Sequence, residues 1–414
     1  MAQEFFTGLD IGTSSVKVVV GQRIPSETGE EENIHIIGSG EFPSAGVSKG
    51  VITSIDDAVS VISSALERAE RMTGVPVEQA YVAVNGLQIT SQDSHGVIAV
   101  SKSDGEISDD DVMRVVEAAQ AVATPPNYEI LHVIPRSFVV DNQQSIKDPI
   151  GMNGIRLEVD AQIIQTLSSQ VKSLTKCVYR AGVDINDLVL GGLAASEAVL
   201  TQRQKDLGVA LIDIGASTMQ LLVFEEGDLL HTKIFPLGAG HITNDIAIGL
   251  RTSIDTAEQI KLTYGTAVPS DVGKREEIRL EEFSQDENSA VSRLEIAEII
   301  EARVEEMFEM VDKELTNIDR SGTLPAGVVL SGGGARLPGV VEVAKKHFRL
   351  PAAIGRPQNA SSSIEKMDDP AYATAIGLVV WGGGAEQSGR GSGMLRPLSG
   401  ATSKVKKWIS SLMP

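Results

Sequence analysis

Asp10 and Asp213 each head the same short phrase. The first reads Gly8-Leu9-Asp10-Ile11-Gly12-Thr13-Ser14-Ser15, and the second, in the other half of the 414-residue chain, reads Leu211-Ile212-Asp213-Ile214-Gly215-Ala216-Ser217-Thr218. Apolar runs at Phe5-Phe6 and Val209 to Ile212 lead in, and Val16 to Val20 and Met219 to Phe224 lead out, which predicts a β-hairpin with the phrase at its tip. Gly12 and Gly215 let the backbone turn tightly and bring its N–H groups to phosphate oxygens, and the hydroxyls of Thr13, Ser14, Ser15, Ser217 and Thr218 add donors. The aspartates donate nothing to a phosphate. A carboxylate beside an anion makes chemical sense when a hydrated Mg²⁺ lies between them. An ordinary turn between strands accounts for one such phrase. Two copies in matching settings predict two phosphate loops that hold one nucleotide between two halves of the molecule.

A third cluster follows. Val328-Val329-Leu330-Ser331-Gly332-Gly333-Gly334-Ala335 is the pattern of a buried strand ending in a turn that glycine makes easily, flat enough to pass against a base or an α-phosphate. The elements that must carry these loops alternate between strand and helix signals. Ser54 is placed to cap a helix whose Val59, Ile62, Leu66, Ala69 and Met72 recur at spacings of three and four, a one-sided core stripe. From about Ala83 to Thr166 a compact unit is expected, with strands at Gly96 to Val100, Ile130 to Ile134 and Ile155 to Val159 around one helix starting after Ser108 and burying Val112, Val115, Val116 and Ala119.

Composition bounds the function. The length allows two or more domains with proper cores, and a 42% hydrophobic fraction with 40 glycines fits an α/β protein. A formal charge of −20 argues against a general nucleic-acid binder, because phosphates would be repelled. Cys177 stands alone, so a disulfide framework or thiolate metal site is not expected and a reducing cytosol is. The six histidines are scattered without ligand spacing. Met1-Ala2-Gln3-Glu4-Phe5-Phe6 lacks the pattern of a signal peptide, and no apolar run approaches the roughly 20 residues that span a bilayer.

In chain order the three glycine clusters resemble the shared core of the actin, Hsp70 and sugar-kinase superfamily: phosphate loop 1, phosphate loop 2 and an adenosine loop. Three further runs narrow this to FtsA, the actin homologue of bacterial cell division. They are Asp148-Pro149-Ile150-Gly151-Met152-Asn153-Gly154-Ile155-Arg156-Leu157-Glu158-Val159, Gly46-Val47-Ser48-Lys49-Gly50-Val51-Ile52, and Pro236-Leu237-Gly238-Ala239-Gly240-His241-Ile242-Thr243-Asn244-Asp245-Ile246-Ala247. The resemblance runs from about residue 6 to 382. It implies an actin-like two-lobed ATPase fold with an inserted small α+β subdomain, 1C, and a C-terminal amphipathic helix on a flexible linker. The expected division is subdomain 1A over 1–82, 1C over 83–166, 1A again over 167–198, 2A over 199–245, 2B over 246–324, 2A again over 325–359 and the closing 1A helix over 360–384. A linker over 385–402 and the terminal helix over 403–413 follow.

The resemblance also implies roles. Asp10 and Asp213 would organise Mg²⁺, while Gly12, Thr13, Ser14 and Ser15 with Gly215, Ala216, Ser217 and Thr218 would bracket the phosphates of ATP. Gly240, Thr243, Asn244, Glu258 and Lys261 would line the ribose and base side, and Gly333 and Gly334 the adenosine side. Lys17 has two open readings: alternation with Val16 and Val18 aims it at phosphate, or it is a solvated edge lysine. Glu197 falls where actin-like proteins often place the residue that orients attacking water, with a satisfied helix glutamate as the other account. The family's second loop usually reads Asp-Ile-Gly-Gly-Gly-Thr-Thr-Asp, whereas this chain has Asp213-Ile214-Gly215-Ala216-Ser217-Thr218-Met219-Gln220. Two lost glycines and a lost carboxylate predict retained ATP binding with hydrolysis slow or absent.

After Trp381-Gly382-Gly383-Gly384 a Gly/Ser-rich stretch to about Thr402 reads as a tether. Val405, Trp408, Ile409, Leu412 and Met413 then form an apolar stripe at helical spacing, with Lys404, Lys406 and Lys407 beside it. A tethered, basic, Trp-containing helix suits an anionic membrane surface, with packing on the body or on a partner protein as the alternative. The resemblance favours the membrane, on the cytoplasmic side at the division site. It also makes Arg293, Ile300 and Arg303 candidates for receiving the acidic C-terminal peptide of FtsZ, although Leu294, Ala297, Ile300, Val304, Met307, Phe308 and Val311 equally form a plain core stripe. Self-association into filaments and contacts of later division proteins through 1C complete the expected partners. The competing reading is a small-molecule kinase or phosphatase of the same superfamily, or a PilM-like pilus assembly protein.

Overall fold

The computed structural model describes residues 4–24, 33–102, 104–121, 124–283 and 290–387. The two predicted hairpins form, and each nucleates a sheet of the same plan. Phe5–Ile11 pairs antiparallel with Ser15–Ile24 and parallel with Gln79–Val84. Val209–Ile214 pairs antiparallel with Met219–Glu225 and parallel with Val328–Ser331. The six-stranded sheet runs Asp184–Leu190, Gln79–Val84, Phe5–Ile11, Ser15–Ile24, Asn33–Pro43, Ser361–Ser362. The five-stranded sheet repeats that order without the last strand: Ala352–Ile354, Val328–Ser331, Val209–Ile214, Met219–Glu225, Asp228–Phe235. A repeat weakly visible at two loops is therefore a repeat of two lobes, and the central strands read as unbroken apolar runs because helices cover both faces.

Two large apolar clusters hold the lobes, the first of them also taking in Leu211, Leu222 and Val329 from one face of the second sheet. One gathers Leu9, Val18, Ile62, Val82, Leu193 and Ile376; the other gathers Ile212, Leu221, Ile260, Ile300, Phe308 and Leu330. The Ile55–Thr73 helix starts after Ser54 as expected, but the Ser54 hydroxyl makes no capping hydrogen bond. Its buried stripe is Ala58, Val61, Ile62, Ala65, Leu66 and Ala69, while Met72 is half exposed. The small alanines, not the larger Val59 and Met72, face the sheet because that helix lies close on the Asn33–Pro43 strand: a Cβ at Gly40 would stand 1.9 Å from the Ala65 carbonyl oxygen.

The compact unit predicted between the first lobe's strands is a four-stranded antiparallel sheet, Thr90–Ala99, Arg156–Leu167, Tyr128–Val140 and Gln143–Ile146, with the Asp109–Gln120 helix on one face. Its separate core holds Ile107, Val115, Val116, Ala119, Leu157 and Val159, with Val112 partly buried beside it. This insert leans on the second lobe through polar groups. Arg136 donates to the carbonyls of Leu229 and Leu230 and pairs with Asp93 at 3.0 Å, and the Ser91 hydroxyl donates to Thr232 O. Lys147 pairs with Asp228. Among the described residues no helix is long and apolar enough to cross a membrane. The terminal-helix residues Lys404, Val405, Lys407, Trp408, Ile409, Leu412 and Met413 lie outside the described residues.

Candidate functional site: two aspartate hairpins face one cleft

Both loops close with the same bond. Gly12 N–H donates to Ser15 O at 3.2 Å and Gly215 N–H to Thr218 O at 2.9 Å. Each turn lifts the aspartate before it toward the space between the lobes. Asp10 is opposite Lys17 in register and Asp213 is opposite Gln220, so each pair leaves its sheet on one face. Asp10 accepts from Asn85 Nδ2 at 3.2 Å, and Asp213 accepts from the Ser331 hydroxyl at 2.8 Å.

Burial is the main force on both carboxyls and raises both pKa values. For Asp213 the Ser331 hydrogen bond opposes the rise, Asp10's charge adds to it and Lys17's opposes it, leaving the group at about 6. The two aspartates of different lobes thus sense one another's charge. Two buried, mutually repelling carboxylates are a natural seat for a cation, which would draw both into the ionised form. Among the described residues no group of three or more His, Cys, Asp and Glu converges on a point.

Lys17 is buried, so the solvated-edge account of it fails. Its ammonium donates to Ser15 Oγ at 2.7 Å, lies 3.9 Å from Glu41 and sits 5.7 Å from the Tyr372 ring centroid. Burial disfavours the Glu41 carboxylate, but hydrogen bonds from Lys366 and Tyr372 with the charge of Lys17 hold its pKa down at about 2. Thr13 Oγ1 accepts from Gly50 N–H, and Ser14 O from Ser44 N–H, so the Val47–Ile52 turn region braces the first loop. In the second loop the carbonyls of Gly215 and Ala216 accept from Ala239 and Gly240 N–H, which seats the Ala239–Leu250 helix against it. Neither Gly238 nor Gly240 has room for a Cβ there.

Thr243, Glu258 and Lys261 bond one another. Thr243 Oγ1 donates to Glu258, and the buried Lys261 ammonium donates to Thr243 Oγ1 at 2.7 Å and to Glu258 at 2.6 Å. Asn244 is exposed on the next position of the same helix. Of the third glycine cluster, Gly334 packs on Ile214 with no room for a Cβ, and Gly333 is open. Gly332 is the one that the turn demands, at φ 81° with a Cβ position 2.8 Å from Asp213 Oδ1. Sequence reading missed it as a site residue, together with Asn85 and Ser331. Gly332 and Ser331 carried a signal, adjoining the Gly run, whereas Asn85 carried only its place after a strand.

Glu197 is not brought to this cleft. Its carboxylate takes a 2.7 Å bond from Lys205, whose ammonium lies over Phe224, the residue paired with Val209 at the far end of the second hairpin. It is a satisfied glutamate. Ile300 is wholly buried in the second core, so it offers no surface for a peptide; the Arg293–Asn317 helix turns it inward with Ile296, Ala297 and Val304. Arg293 is paired with Glu276 at 2.7 Å, and Arg303 holds Asp245 by two nitrogens as well as Glu306.

Comparison with known proteins agrees with this geometry. The family model described as "Cell division protein FtsA" matches residues 210–377, and that of the "SHS2 domain inserted in FTSA" matches residues 86–165. Cell division protein FtsA of Bacillus subtilis is 42% identical over 91% of this chain and 83% of its own. That of Pseudomonas aeruginosa is 35% identical over 98% and 97%, and that of Escherichia coli K12 is 32% identical over 99% and 97%. Among solved structures, a chain of the PilM–PilN type IV pilus biogenesis complex superposes with a TM-score of 0.67 at 16% identity, over 91% of this chain and 98% of that one. ADP-bound MreB5 of Spiroplasma citri superposes at 0.54 and 14%, over 94% and 99%. The structural likenesses establish the actin-like fold. The sequence relatives give no support to a small-molecule kinase or phosphatase. With two lobes of one plan around facing aspartates, an inserted four-stranded unit and relatives matched along nearly their whole length, the chain belongs to the FtsA family of cell division proteins.

Proposed function

We propose that this actin-like division protein binds Mg-ATP between its lobes, polymerises, and ties FtsZ filaments to the inner face of the cytoplasmic membrane. The observation that carries the nucleotide reading is the pair of matched hairpins presenting Asp10 and Asp213 to one space, with buried Lys17 beside them. Bound Mg²⁺ would polarise phosphate oxygens. The chain's own part is to hold the two carboxylates, present N–H and hydroxyl donors at the loops, and seat the ribose end on Thr243, Glu258 and Lys261. The ADP named with MreB5 supports a nucleotide in this fold. Slow or absent hydrolysis follows from the altered second loop, where Ala216 and Ser217 replace backbone-only positions and no general base stands at Glu197.

Membrane attachment rests on the sequence between Lys404 and Met413. One short helix gains about 1.5 to 3 kcal/mol per large apolar side chain buried and pays about 1 to 2 kcal/mol per residue ordered, so it binds weakly alone. Polymer formation links many such helices and raises avidity without a new contact. FtsZ's peptide is proposed to dock by charge at Arg293 and Arg303, displacing their present carboxylate partners, and later division proteins to dock on the insert. The deciding experiment is liposome co-sedimentation of the full chain and of a chain ending at Gly384, each with and without Mg-ATP. Sedimentation should require the tail and increase with ATP; binding indifferent to the tail would remove the tether.

A further inference from the structure

The repeat of the two lobes breaks at one sheet edge. Leu9 and Ile212 each stand just before a loop aspartate. Leu9 pairs with Val82, and Val82 with Leu188 on the edge strand Asp184–Leu190. Ile212 pairs with Leu330, and Leu330 with Ile354 on the edge strand Ala352–Ile354. Leu188 therefore corresponds to Ile354, and Leu190 to Arg356. In the first lobe both N–H groups are satisfied. Leu188 donates to Asp187 Oδ1 at 2.9 Å, and Leu190 to His132 Nε2 at 3.0 Å, on the insert's Tyr128–Val140 strand, which lies against this edge.

In the second lobe Gly355 N–H donates inward, to Leu330 O at 2.8 Å. Alternation along a parallel ladder then turns the N–H groups of Ile354 and Arg356 outward. Neither has an acceptor among the described residues. They border a groove of about 480 Å³ whose walls include Arg336, Pro338, Val341, Glu342, Ile354 and Arg356. Ile354 is 38% exposed. Arg336 is held by the Asp369 carboxylate through two nitrogens, whereas the exposed Arg356 guanidinium has no partner among the described residues.

We propose that this groove receives an extended segment of a partner protein, mainly apolar, with one carboxylate that meets Arg356. The first lobe supplies the pattern, since there an extended strand covers the corresponding edge. Backbone carbonyls of the added segment accept from Ile354 and Arg356, its apolar side chains lie on Pro338, Val341 and Ile354, and its carboxylate pairs with the free guanidinium. Arg293 and Arg303 do not line this groove. A chain of formal charge −20 repels acidic peptides in general, so the attraction has to be local to Arg356.

The test is fluorescence anisotropy of the full-length protein with a labelled, end-blocked peptide of sequence Thr-Val-Glu-Val-Thr-Val, compared with the same peptide carrying Lys in place of Glu. The Glu peptide should bind, and the Lys peptide about tenfold or more weakly. Arg356→Glu should reverse that preference. Ile354→Pro removes an outward donor and spares the inward bond of Gly355, so it should weaken both peptides. Should that variant not fold, Arg356→Glu leaves the backbone intact and decides the matter by the reversal. Mg-ATP should leave peptide binding unchanged; displacement by Mg-ATP would assign the groove to the nucleotide cleft and overturn the proposal. Absence of binding by the Glu peptide, equal binding of the two peptides, or an unchanged preference in Arg356→Glu would overturn it as well.

Discussion

Ser331 shows how much of the candidate site depends on single side chains that support its aspartates. Its hydroxyl is wholly buried and donates to Asp213 Oδ1 at 2.8 Å, opposing the burial that lifts the Asp213 pKa to about 6. Metal binding requires the ionised carboxylate, so Mg-ATP affinity should rise with pH through about 6. Ser331→Ala removes the bond that favours the charged form. The midpoint of that rise should move to higher pH, and Mg²⁺-dependent ATP affinity at neutral pH should fall by about 10- to 100-fold, as for other lost supports of a metal ligand. Titration calorimetry across the pH range measures both. A midpoint that stays in place would mean that Asp213 is not the group that titrates.

At the scale of elements, helices also pack with no side chain between them. The Ala373–Gln387 helix crosses the Gly191–Val199 helix at Gly377, where a Cβ would stand 1.8 Å from the Ala194 carbonyl oxygen. That oxygen belongs to backbone and cannot swing aside. Gly377→Ala should therefore cost about 1 to 3 kcal/mol or more through a forced separation of the two helices, visible as a lower midpoint in urea unfolding at an unchanged slope. A wild-type midpoint would show that the crossing relaxes freely. These crossings also mark the boundary of what the sequence discloses. Hairpins were legible because apolar runs and a Gly turn are local, and the insert's helix was legible from Val112, Val115, Val116 and Ala119. Asn85 on Asp10 and Ser331 on Asp213 bridge 75 and 118 positions, and no local pattern encodes such a meeting. Glu197 and Ile300 were legible as helix residues, but which way a helix turns is decided by its neighbours: Lys205 claims the one and the second core the other.

On the scale of the whole molecule the insert is a part with its own core. Its seat on the edge strand Asp228–Phe235 is polar: the Arg136 guanidinium, itself paired with Asp93 of the insert, on two carbonyls, Lys147 on Asp228, and Ser91 on Thr232 O. Backbone carbonyls at a sheet edge otherwise face water, so the seat exchanges solvent hydrogen bonds for charged ones and gains about 1.5 to 3 kcal/mol for each that is well formed. A seat of that size holds the insert in one place yet breaks within reach of a binding event. Arg136→Ala removes its centre while leaving the insert's apolar core of Ile107, Val115, Leu157 and Val159 untouched. Hydrogen exchange should then quicken on the Asp228–Phe235 strand and on the Tyr128–Val140 strand that carries Arg136, with protection unchanged at Leu157 to Val159 and at the two phosphate hairpins. Exchange that quickens throughout the insert would instead make Arg136 part of the unit's own fold, and the insert would owe its position to its other polar ties and its two chain connections.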